Sequence, residues 1–177
     1  DEKEEAEKAL REIKKRIEDN VREVRRLNRE LREKLRKLIE DYDRLLKELE
    51  KRVEDIVRKG RVDEKVKEDA DRELEKNREE LDRRRKEVDD RLRKHNRELE
   101  ESMKEARRRL EEVDRRLDEL GERDLRREEK KLRDELRDLH REHRKSIEDL
   151  DREIKKMEDE LRRSIEENRK RVEELEK

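Results

Sequence analysis

Three histidines are the side chains of this 177-residue chain best suited to chemistry: His95, His140 and His143. His140 and His143 form an H-x-x-H pair, one helical turn apart, a spacing that can turn two imidazoles toward one zinc ion. A third ligand is then needed, and helix geometry is expected to hold His95 about 9 to 14 Å from their heights, so no metal site is expected. The Glu-x-x-His pairs of di-iron bundles are missing too, because Leu92, Arg137 and His140 stand three residues before the histidines. Ser102 is expected near His143, a pairing that suits a nucleophile and its base. Without an oxyanion hole or a path for substrate, it is read as an interior hydroxyl. Asp and Glu are so abundant that close carboxylate pairs carry no information. The chain is therefore expected to be no enzyme and to need no cofactor.

The elements that must position these groups follow from composition. Charged residues make up 67% of the chain and aromatic residues 1%, values that usually accompany disorder. The apolar residues, however, recur every three or four positions along almost the whole chain, which is the signature of helix. Lys and Arg number 59 against 60 Asp and Glu, and the signs alternate over one to three residues, so no basic stripe forms. Nucleic-acid binding needs such a stripe together with stacking aromatics and is not expected. No apolar run is long enough to span a membrane or to serve as a targeting signal. Cysteine is absent.

Gly60 and Gly121 are the only glycines, each followed three residues later by aspartate, Asp63 and Asp124. Glycine accepts the left-handed conformation that ends a helix, and aspartate caps the helix that follows. Two copies of one loop are expected, Gly60–Val62 and Gly121–Arg123, joining helices at about residues 2–59, 63–120 and 124–176. Short loops make neighbours antiparallel, giving an all-α, up-down-up three-helix bundle over residues 1–177. The first helix has its seam at Leu10, Ile13, Ile17, Val21, Val24, Asn28, Leu31, Leu35, Leu38, Tyr42, Leu45, Leu49, Val53 and Ile56. Stripes of two or three positions in seven suit one shared core and a monomer.

Gln and Thr never occur, and the uncharged polar side chains are five Asn, three Ser, three His and Tyr42. All fall on the seam or beside it. In the segment RLRKHNRELEES, residues 91–102, the seam between Leu92 and Leu99 passes through His95 or Asn96. Positions share a height when their numbers total about 122 for the first two helices and about 244 for the last two. On that rule one polar region holds Asn20, Asn28, His95, Asn96, Ser102, His140, His143 and Ser146. The other holds Tyr42, Asn77, Ser164 and Asn168. An unpaired buried polar group costs about 1 to 3 kcal/mol, so the members of each region are expected to bond one another.

The apolar seam, the Asp, Glu, Lys and Arg surface, the matched G-x-x-D loops and the interior Asn, Ser, His and Tyr resemble de novo designed helical bundles with buried hydrogen-bond networks. The resemblance covers the whole chain and implies a structural scaffold without evolved catalysis, or a module for a larger assembly. Spectrin-type repeats are similar in having three helices, but their core tryptophan is missing. Interior histidines also suit a bundle that responds to pH, since burial disfavours the charged imidazole.

Overall fold

A computed structural model describes residues 2–177. It is all-α, an antiparallel three-helix bundle with α1 at Glu2–Arg58, α2 at Glu64–Arg115 and α3 at Glu122–Glu176. The chain divides into two compact units, each drawing a stretch from all three helices. Unit 1 comprises residues 2–30 and 92–149, and unit 2 comprises residues 31–91 and 150–177.

The first connection follows from its residues. Gly60 adopts φ 68°, and its amide donates to the Val57 carbonyl at 2.9 Å while Arg61 donates to Ile56 at 3.3 Å. This pair of bonds closes a helix with glycine in the left-handed region. Asp63 then caps α2, its Oδ1 accepting the Val66 amide at 3.0 Å.

The second connection is not a copy of the first. α2 ends at Arg115 rather than near residue 120, and α3 begins at Glu122 rather than 124. Residues 116–119 form tight turns, with Leu117 donating to Asp114 and Glu119 to Arg116. Gly121 has no positive φ. It opens α3, its carbonyl accepting the Leu125 amide at 2.9 Å, and Asp124 lies inside the first turn. Acidic side chains there face the positive end of the helix, which favours the earlier start.

The interior of unit 1 includes Ile13, Ile17, Leu92 and Leu99, each 1% exposed or less. That of unit 2 includes Leu46, Val53, Leu74 and Leu161. Burying such a side chain contributes about 1.5 to 3 kcal/mol, so these stripes supply most of the drive to fold. One seam position needs correction: Leu46 is buried, whereas Leu45 is 42% exposed. Ala6 extends the α1 seam by one turn beyond Leu10.

Candidate functional site

Six of the twelve polar residues singled out from sequence are buried: Asn28, Tyr42, Asn77, His95, His143 and Asn168. The other six, Asn20, Asn96, Ser102, His140, Ser146 and Ser164, are half-buried along the seam's edge. The seam through residues 91–102 therefore passes through His95, with Asn96 beside it.

In unit 1 the two buried imidazoles meet across α2 and α3. His143 Nδ1 and His95 Nε2 are 3.5 Å apart, and the two rings are edge-on, with centroids 5.5 Å apart. This overturns the expected separation of His95 from the H-x-x-H pair, and the cause lies in the second loop. Its early helix end and early helix start move its midpoint back by about three and a half residues, so level positions on α2 and α3 total about 237 instead of 244. His95 then comes level with a residue near 142, beside His143. Ser102 shifts likewise. It lines a shallow groove with Ala106, Asp138, Leu139 and Glu142, and His143 is not part of that lining.

Burial holds both imidazoles below their ordinary value near 6.5, His143 to about 4, with the neighbouring His95 pushing the same way. Glu98 opposes the shift at both rings, and His140 reinforces it at His143. The outer nitrogens, His95 Nδ1 and His143 Nε2, have no hydrogen-bond partner, and neither do Asn28 Oδ1 and His140 Nδ1.

In unit 2 the polar interior is anchored differently. The Tyr42 hydroxyl donates to the Glu158 carbonyl at 3.1 Å, joining α1 to α3. Burial pushes that hydroxyl's pKa up, against the pull of Arg162. Asn168 Nδ2 donates to the Glu73 carbonyl at 3.4 Å, joining α3 to α2, while Asn77 Nδ2 has no partner. Around this interior run half-exposed ion pairs that sequence reading did not single out. Arg78 spans Asp43 and Glu50, at 2.8 Å to each, and Arg84 and Arg91 of α2 meet Glu160 and Glu153 of α3. Only the knowledge of which surface charges share a level across helices would have found them.

The expected bonding of the polar residues to one another thus takes a narrower form. Among the described residues, the side-chain hydrogen bond between two of the twelve is His95 with His143, and the anchors of Tyr42 and Asn168 are main-chain carbonyls. Among the described residues no group of three metal-ligating side chains is placed to hold an ion, and no helix is long and apolar enough to cross a membrane. The chain matches no family model, no curated protein and no solved structure.

Proposed function

We propose that this protein is a designed structural scaffold, monomeric and without catalysis, whose interior polar side chains set the register of its helices. The observation that carries the reading is the burial of polar groups at matched levels: His95 against His143, Tyr42 against the Glu158 carbonyl, Asn168 against the Glu73 carbonyl. An interior of Leu, Ile and Val alone tolerates sliding, because one apolar contact replaces another at little cost. Each slide that strands a buried donor or acceptor costs about 1 to 3 kcal/mol, which selects one register. The segregation of Asn, Ser, His and Tyr to the seam, with Gln and Thr absent, supports a chosen sequence.

The test uses the absence of native cysteine. Nitroxide labels at Arg97→Cys and Arg144→Cys report the distance between α2 and α3 in unit 1. The parent is expected to give one narrow distance distribution. A variant with Asn28, His95 and His143 all replaced by Leu is expected to give a broad or double one at equal or higher stability. The same single narrow distribution in both chains rules out register setting.

A further inference from the structure

All three histidines of the chain lie in unit 1, and two of them meet head-on inside it. The nitrogens are closer than the ring centroids by nearly the depth of two half-rings, so both lie near the line that joins the centroids. A neutral pair places one hydrogen between them. If His143 Nδ1 donates, His95 carries its hydrogen on Nδ1 and His143 keeps a lone pair on Nε2; if His95 Nε2 donates, the roles reverse. Either way the outer nitrogens hold one hydrogen and one lone pair.

Protons added from acid meet these sites in order. The first takes the outer lone pair and leaves an imidazolium donating to a neutral ring, a charge-assisted bond. The second has only a facing nitrogen left, so two N–H groups and two positive charges confront each other across 3.5 Å of buried space. From α2, Glu98 favours charge on both rings, while on α3 His140 disfavours charge on His143. Among the described residues no charged group of α1 acts on either ring.

We infer that unit 1 is an acid-opened element: the second proton on the His95–His143 pair drives α2 from α3 around that contact, while unit 2, which holds no imidazole, stays closed. The inference rests on the scaffold reading, since the pair must stand between helices whose register it helps to fix. Both rings are held neutral by burial, with His143 at about 4. Sign follows: a folded pKa below the unfolded value near 6.5 gives stability that is complete above 6.5 and lost as pH falls toward 4.

Hydrogen exchange of the full chain, corrected for intrinsic pH dependence, tests this at pH 7 and pH 5. In the parent, protection of amides in residues 92–111 and 134–149 is expected to fall at least tenfold at pH 5, with unit 2 unchanged. In the variant with His95→Leu and His143→Leu the two pH values are expected to give equal protection, and an Asn pair at the same positions serves if the Leu variant loses its helical circular dichroism. Equal loss in both units, loss that persists in the variants, or no loss at all overturns the inference. A flat response with the parent's label distance intact refutes the switch alone, whereas label distances indifferent to the interior polar residues refute register setting.

Discussion

The two units solve the same problem with different chemistry. In unit 2 the interior hydroxyl and one interior amide donate to main-chain carbonyls, and half-exposed arginines bind carboxylates of neighbouring helices around them. A carbonyl in a helix is fixed by its own backbone and does not titrate, so such an anchor is insensitive to acid. In unit 1 two imidazoles rely on each other, and their outer nitrogens and the Asn28 oxygen find no partner. That arrangement holds one register only while both rings stay mostly neutral. Polar groups inside a bundle therefore confer permanence or responsiveness according to whether their partner is backbone or another titratable ring.

The largest predicted effect separates the units by pH. Moving His143 from its ordinary value near 6.5 to about 4 is worth about 3 kcal/mol at 1.36 kcal/mol per pH unit, and all of it is lost below pH 4. Denaturant midpoints of the parent are expected to drop from pH 7 to pH 5 more than those of the His143→Leu variant. The carboxylates are common to both chains, so the difference reports the imidazole. Asn28→Leu comes next: removing an unpartnered buried oxygen is expected to raise stability by about 1 to 3 kcal/mol, measured by urea unfolding. Lowered stability would mean that Asn28 is anchored after all and unit 1 resembles unit 2.

Glycines sharpen the comparison at the loops. Gly60→Ser forces a side chain into the left-handed region and is expected to cost about 1 to 2 kcal/mol, although nothing lies within 4 Å of the added carbon. Gly121→Ser has no such strain and supplies a preferred cap, so the thermal midpoint is expected to hold or rise. Tyr42→Phe gives the smallest loss, about 0.5 to 1.5 kcal/mol, equal at pH 7 and pH 5. A pH-dependent loss would break the distinction between backbone and imidazole anchors.

Much of this architecture is legible in the sequence because the heptad-like seam leaves few choices, and the twelve polar residues selected from it are all buried or half-buried. Two ambiguities were physical. Leu45 and Leu46 both continue a three-or-four spacing from Tyr42, and with identical side chains only the phase of the real helix decides between them. Gly60 and Gly121 head the same G-x-x-D pattern, yet the residues between differ: Arg61-Val62 delays a helix, whereas Glu122-Arg123 begins one. That local preference moved the second loop's midpoint, and the height rule carried the error about thirty Å along the helix axes. The apparent isolation of His95 came from this alone. Arg78 with Asp43 and Glu50 stayed hidden because every surface position carries charge, so composition gives no clue to which pairs meet.

The most direct test of interior polar contact as the device that aligns α2 with α3 is imidazole nitrogen NMR at pH 7. Two neutral rings with a scalar coupling between His95 Nε2 and His143 Nδ1, both titrating below 6.5, are the predicted result. Two independent rings titrating near 6.5 would contradict it.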